Sequence, residues 1–200
     1  IKNPYISNLS INNINNNSKI KNIITVGRLD KQKDHKTAIL AFYKLHKKYP
    51  YLKFKIYGDG NLKNKLAILI KKLSLNDNIF LMGVEKNIKK IYSKSDLYIC
   101  SSKYESLGLT VLEAMDAGIP VIAFDDCLGV NQILTNNKNG ILVNVKKDRV
   151  NSLLSEIDKL MHSTKIYKLI RENGLEYIKN FHNEKNFHED WIKFLNQKYL

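Results

Sequence analysis

The sequence predicts an α/β fold, a doubly wound parallel sheet followed by a helical C-terminal tail. Three observations predict it. Short apolar runs alternate with longer stretches of helical periodicity from residue 21 to about 145. Glycine follows several of the apolar runs, as in VGRL, YGDG and LMGV, where the strands of such a sheet give way to loops. Beyond 148 no strand-like run remains, and three helical segments follow.

Residues 1–20 are rich in Asn and Ser (SNLSINNINNNSK) and read as a linker, or as the remnant of a preceding domain. The domain proper is expected over 21–200. A strand at Ile23–Val26 leads to a helix over about 35–48, whose apolar face carries Ala38, Ala41, Phe42, Leu45 and Tyr49 before Pro50 closes it. A strand at Leu52–Tyr57 ends in the turn Gly58-Asp59-Gly60. The next helix shows Leu62, Leu66, Leu69, Ile70 and Leu73 at helical spacing. Strand Ile79–Met82, a short helix near 87–93 and strand Leu97–Cys100 follow. A short apolar helix, stopped by Gly118, then precedes a strand at Ile119–Phe124, and the turn Lys138-Asn139-Gly140 precedes a strand at Ile141–Val143. Helices over about 148–161, 164–180 and 184–198 form the tail. Crossovers between parallel strands should be right-handed.

Composition narrows the functional classes. At 200 residues the chain suits one α/β domain and is short for two. No apolar run approaches the ~20 residues of a membrane span. The start, IKNPYISNLS, shows neither an initiator Met nor the apolar stretch of a signal peptide, so the chain reads as an excised fragment of a cytoplasmic protein. The formal charge of +14 rests almost wholly on Lys; Arg occurs only at 28, 149 and 171. Nucleic-acid readers rely on Arg for bidentate contacts. Here the Lys residues lie along several amphipathic helices, as a solvated face does, so nucleic acid is not the expected partner. Contact with an anionic membrane surface stays open. Cys100 and Cys127 make no disulfide framework and are expected to be reduced.

The segment Glu105–Gly118, ESLGLTVLEAMDAG, carries the strongest chemical signal. Glu105 and Glu113 flank a Gly-containing loop and the start of a short helix. In an open parallel sheet, ligands bind where strands end and helices begin. A helix N-terminus offers free amides and partial positive charge, which suits a phosphate. Glu105 lies in the loop before that site. Glu113 lies about one turn into the helix, where a carboxylate can accept hydrogen bonds from sugar hydroxyls. This is the layout expected for a nucleotide-sugar diphosphate.

Other segments are weaker alone. Gly27 and Arg28 end the first strand, and a scarce Arg at a strand end suits a bidentate phosphate contact. Lys33 adds a point charge, although its segment alone favours a solvated loop residue. Gly58-Asp59-Gly60 fits an ordinary turn with Asn61 as N-cap better than a phosphate cradle. Met82-Gly83-Val84 ends a strand at the same edge, with backbone available to a nucleobase. Gly129 and Gln132 lie in the loop after the Ile119–Phe124 strand. Glu113 sits among Val111, Leu112, Ala114 and Met115, so its carboxylate needs a partner; a ligand hydroxyl or a structural Lys would both serve. No metal or cofactor is expected: His35, His46, His162, His182 and His188 follow no ligand spacing, and no Asp-x-Asp follows a strand.

Together, VGRLDKQKDHKTAILAF, YGDGNLKNKL, NIFLMG, SDLYICSSKYESLGLTVLEAMDAGIPVIAFD and NGILV resemble glycosyltransferase family 4, the retaining group 1 transferases with the GT-B fold. The resemblance is close over about 23–145 and loose over the tail. It implies a Rossmann-like, donor-binding C-terminal domain of a two-domain enzyme whose N-terminal acceptor domain is absent. It implies a nucleotide-diphosphate sugar as donor, with uridine favoured over guanosine, and a glycan, lipid-linked or polysaccharide acceptor. Arg28 and Lys33 would neutralise the diphosphate. Glu105 would contact the transferred sugar, and these three are the implied catalytic residues. The implied donor-binding set adds Gly27, Gly83 and Val84, then Ser106, Leu107, Gly108, Leu109 and Thr110 with their backbone amides, and Glu113 for the ribose. Where the family often has Gly-x-x-Glu, this chain has GVNQ, with Gln132 at the acidic position. A nucleotide-sugar epimerase or sugar phosphorylase of the same architecture is the alternative enzyme. A basic nucleic-acid or lipid-surface module is a third reading, but it gives the carboxylate pair no role.

Overall fold

A computed structural model describes residues 19–145 and 148–181, together with 189, 192, 193, 195 and 196. Its centre is a six-stranded, wholly parallel sheet. The strands are β1 (Asn22–Val26), β2 (Lys53–Tyr57), β3 (Ile79–Gly83), β4 (Leu97–Cys100), β5 (Val121–Phe124) and β6 (Ile141–Val143). The helices are α1 (His35–Lys48), α2 (Lys63–Lys72), α3 (Ile88–Tyr92), α4 (Leu109–Asp116), α5 (Leu128–Asn131), α6 (Arg149–Met161) and α7 (Thr164–Phe181). The spatial order β3-β2-β1-β4-β5-β6 reverses direction between β1 and β4. Loops leaving neighbouring strands at such a reversal diverge to opposite faces and open a crevice.

Alternation along each strand builds two apolar layers. Ile23, Leu97, Ile99, Ile122 and Phe124 face a core with Phe42 and Leu45 of α1, Leu66 and Ile70 of α2, and Leu153 and Ile157 of α6. Ile24, Tyr98, Cys100, Val121 and Ala123 face the other, with Ile91 of α3, Val111 and Leu112 of α4, and Val130 of α5. β4 and β5 are buried at every position, as strands covered on both faces must be. Helix α7 contributes Tyr167 and Ile170 to the first layer and Ile178 to the second.

Within the described residues, the predicted strands and helices up to residue 181 are found within a residue or two. Three details differ. Helix α2 starts at Lys63 with Leu62 as its N-cap, so Asn61 lies in the turn instead of capping. Helix α5 occupies what the sequence presents as a loop; four residues, LGVN, are too few to show a period. Ile20, placed in the linker, is buried in the first core layer. Residues 1–18, and most of the third tail helix over 184–198, lie outside the described residues.

Candidate functional site

The C-terminal ends of β1 and β4 meet at the reversal, and their loops carry two of the sequence-predicted residues. Lys33 and Glu105 are joined by an ion pair of 2.5 Å between Nζ and Oε1, with side chains 14% and 10% exposed. The solvated reading of Lys33 is therefore corrected: its ammonium is pulled into the crevice by a carboxylate 72 residues away. The Ser102 hydroxyl donates to the same Glu105 oxygen at 2.6 Å. The Lys33 stem lies against Gly27, where an added Cβ would come within 3.1 Å of Lys33 Cε. Gly27 is thus the surface over which Lys33 reaches Glu105.

Arg28 leaves the same strand end but stays in solvent, 72% exposed, beside Asp30 at 3.4 Å and Gln32, whose Oε1 lies 3.3 Å from Nη2. The described structure therefore brings Lys33 and Glu105 together and leaves Arg28 on the rim. Gln32 also donates to the Tyr104 carbonyl at 3.0 Å, and the Lys103 amide donates to the Gln32 carbonyl at 2.8 Å. These bonds clamp the β1–α1 loop to the β4–α4 loop.

Gly108 caps α4 with φ 58° and ψ 35°, a left-handed conformation that Gly adopts without Cβ strain. Its place is tight as well: a Cβ there would lie 2.8 Å from Ile133 Cδ1. No side chain caps this helix and its first turn holds no acid, so amides at Leu109 and Thr110 lack intrahelical partners. Ser106, Leu107 and Leu109 are exposed around this terminus, and Thr110 is half-buried. The Tyr98 hydroxyl donates to Thr110 Oγ1 at 2.7 Å and approaches the Val26 carbonyl at 3.3 Å. One buried phenol from β4 thereby ties the α4 N-terminus to the end of β1; its burial keeps it protonated by raising its pKa well above the usual range.

Glu113 projects from the first full turn of α4. Val111, Leu112, Ala114 and Met115 are buried, and the carboxylate is half-buried at the layer edge. Tyr92 of α3 donates to Oε2 at 2.9 Å. No Lys pairs with it among the described residues, and its Oε1 receives no hydrogen bond from them. Burial pushes the Glu113 carboxyl above its ordinary value, and the Tyr92 bond opposes that only in part. Of the two partners left open by the sequence, a structural Lys is thus not found, and a phenol takes half of the task.

Gly83 and Val84 end β3 on the same edge. Gly83 has φ 71° with open space around it, and Val84 is 72% exposed. Gly58 holds the β2 end against β1, since its Cβ would meet the Gly27 carbonyl at 2.0 Å. The GDG segment therefore serves close backbone approach between adjacent strand ends.

Several contributing residues were not singled out by the sequence, or were only weakly marked. Gly129 of α5 touches the Glu105 backbone; a Cβ would lie 1.9 Å from its carbonyl oxygen. Its signal was its glycine identity in an otherwise apolar stretch. Gln132 is exposed beyond α5. Tyr92 and Ser102 gave no signal. Arg149 gave one, the scarcity of Arg, and it reaches across the strand ends from α6. Among the described residues no group of three or more His, Cys, Asp or Glu is placed to hold a metal ion, and no helix is long and apolar enough to cross a membrane. Cys100 and Cys127 are free and buried.

Comparison with known proteins shows the family. A model of the family "Glycosyl transferases group 1" matches residues 8–177. The chain is 33% identical over 159 residues to the GtfA subunit of a UDP-N-acetylglucosamine–peptide N-acetylglucosaminyltransferase of Streptococcus pneumoniae, covering 80% of this chain and 31% of that protein. Among solved structures, a variant of Staphylococcus aureus TarM, crystallised with fondaparinux, alpha-GlcNAc-glycerol and UDP, superposes with a TM-score of 0.80 at 28% identity. It covers 88% of this chain and 36% of that one. The C-terminal domain of a group 1 family glycosyl transferase (LpcC) of Francisella tularensis gives a TM-score of 0.72 at 26% identity, covering 82% of this chain and 87% of that domain. The chain thus spans about a third to a half of the length of the full-sized relatives it matches and most of an isolated C-terminal domain.

Proposed function

The chain belongs to the group 1 glycosyl transferases, and from that premise we propose that it is the donor-binding half of a retaining transferase that uses a nucleotide-diphosphate sugar. The observation that carries the proposal is the paired Lys33 and Glu105 in the β1/β4 crevice, beside the uncapped N-terminus of α4. Lys33 and the amides of Leu109 and Thr110 lie at the same sheet edge, with Arg28 on its rim, and a diphosphate there would be met by cations and helix amides. Glu113 offers the ribose hydroxyls a carboxylate oxygen not already engaged, while Tyr92 fixes the other. Glu105, with Ser106, Leu107 and Gly108, faces the transferred sugar. Gly83 and Val84 leave backbone open to the base.

In this reading the protein acts through charge. Cleavage of the bond to the sugar places negative charge on the leaving diphosphate. Fixed cations and helix amides oriented toward it stabilise the transition state without reorganising. The Lys33–Glu105 bond holds the ammonium in place before the donor arrives. A uridine nucleotide is the proposed donor, supported by the UDP in the TarM structure. The acceptor, a glycan, lipid-linked or polysaccharide chain, would be bound by a separate N-terminal domain. A cytoplasmic setting, with peripheral contact to anionic lipid, belongs to the same proposal.

Product analysis of the full-length protein with UDP-sugars tests this. Transfer with retained anomeric configuration is expected. Release of a free epimerised sugar, or a requirement for inorganic phosphate, would instead assign the fold to an epimerase or a phosphorylase.

A further inference from the structure

Arg149 is the first residue of α6, and a cation there is opposed by the helix dipole. Its place is therefore not explained by helix stability. Its guanidinium stacks on Phe124 of β5, 3.8 Å from the ring centroid, with the side chain 20% exposed. Nη1 bonds the Asp126 carboxylate at 2.5 Å, on the loop after β5. Nη2 donates to the carbonyls of Ser101 and Ser102 at 3.3 Å each, on the loop after β4. Nε lies 3.7 Å from Asp34, at the N-cap of α1, whose carboxylate also accepts from the Thr37 hydroxyl at 2.8 Å. One planar fork thus touches the loops of β1, β4 and β5.

The two serine residues it holds lead directly to the candidate pair. The Ser101 hydroxyl donates to the Lys33 carbonyl at 2.8 Å, and the Ser102 hydroxyl donates to Glu105 Oε1 at 2.6 Å. Asp34 is the next residue after Lys33. We infer that Arg149 is a positioning residue, which fixes the separation of Lys33 and Glu105 by holding the Ser101 and Ser102 backbone on one side of the crevice and facing the Asp34 carboxylate on the other. The inference deepens the donor-site proposal and rests on its assignment of that pair. Lys can replace this function only in part, because it keeps the charge but lacks the planar fork that spans several acceptors and stacks on a ring.

The test compares Arg149→Met and Arg149→Lys in the full-length protein. Met keeps an apolar stem over Phe124 and removes the fork; Lys keeps the charge. The first readout is the Lys33 Nζ–Glu105 Oε1 separation in a crystal structure of each variant. The second is kcat and KM with a UDP-sugar. The expected results are a pair opened beyond hydrogen-bonding distance and kcat lowered about 10- to 100-fold, as displacements of about 1 Å produce. KM should change less than about threefold, because the base and ribose contacts lie elsewhere. Lys should restore part of kcat. An intact pair with kcat within about twofold of wild type would overturn the inference. If the wild-type protein neither transfers sugar nor binds UDP, the donor-site proposal fails, and the separation still decides whether Arg149 sets the pair. Should Arg149→Met not fold, Asp126→Asn removes one anchor at a carboxylate 51% exposed. A smaller loss of kcat then supports the inference, and unchanged kcat overturns it.

Discussion

Removing either member of the Lys33–Glu105 pair should destabilise the fold more than removing both. Lys33→Met leaves the Glu105 carboxylate, 10% exposed, with the Ser102 hydroxyl as its remaining side-chain bond. Glu105→Gln leaves a buried ammonium, 14% exposed, facing a neutral amide. Breaking a buried ion pair from one side costs ~3–5 kcal/mol. The retained Ser102 bond and the amide oxygen each offset part of that, so ~2–4 kcal/mol is expected for each single variant. The double variant buries no net charge and should cost about 1 kcal/mol. The coupling energy is then ~3–7 kcal/mol, at or above the upper end of the ~0.5–3 kcal/mol usual for contacting residues. Urea unfolding followed by circular dichroism measures all four corners of the cycle. In a domain of this size ~1 kcal/mol moves Tm by about 2–4 °C, so thermal scans should show the same order. Additive losses, within about 0.5 kcal/mol, would refute the reasoning, because they would mean that the two charges do not sense each other.

Two further predictions follow from neighbouring groups. Gly129→Ala should force the Glu105 backbone away from α5, since the new Cβ would lie 1.9 Å from its carbonyl oxygen. A loss of ~1–3 kcal/mol, read as a lower urea midpoint at unchanged m-value, would accompany weaker sugar transfer. Glu113 links nucleotide affinity to pH. Burial raises its carboxyl above the ordinary 4.5 in the free protein, whereas ribose hydroxyls donating to it would favour the carboxylate and lower that pKa. Affinity for UDP should therefore be complete above the free-protein pKa. It should fall as pH descends through it, by up to about tenfold per pH unit. A flat profile in wild type, or a profile unchanged in Glu113→Gln, would remove Glu113 from the nucleotide site.

The sheet was legible because buried parallel strands and amphipathic helices write different periods into the chain, and here each element carries enough residues to show its own. Helix α5, with only Leu128–Asn131, does not, and so it passed for a loop. The pair Glu105 and Glu113 was legible as a motif because both lie on one short segment. Partners were not. Lys33 and Glu105 are 72 residues apart, and Tyr92 reaches Glu113 from a different helix; only the strand order brings them together. The local sequence of Lys33 even favoured solvent, since nothing in KQKD announces a buried carboxylate. Arg149 shows the opposite lapse. Scarcity of Arg gave weight to Arg28, which the structure leaves in solvent, while the same argument applied to Arg149, which joins three loops.

The proposed nucleotide-diphosphate site lies between β1 and β4, closed on its ribose side by Glu113. Calorimetric titration of UDP, GDP and ADP into the full-length protein, wild type and Glu113→Ala, tests it most directly. Saturable binding of UDP in preference to the other two is expected, lost in the variant while its unfolding midpoint stays near wild type. No saturable binding of any diphosphate to the wild type, or equal affinity in a folded Glu113→Ala, would contradict it.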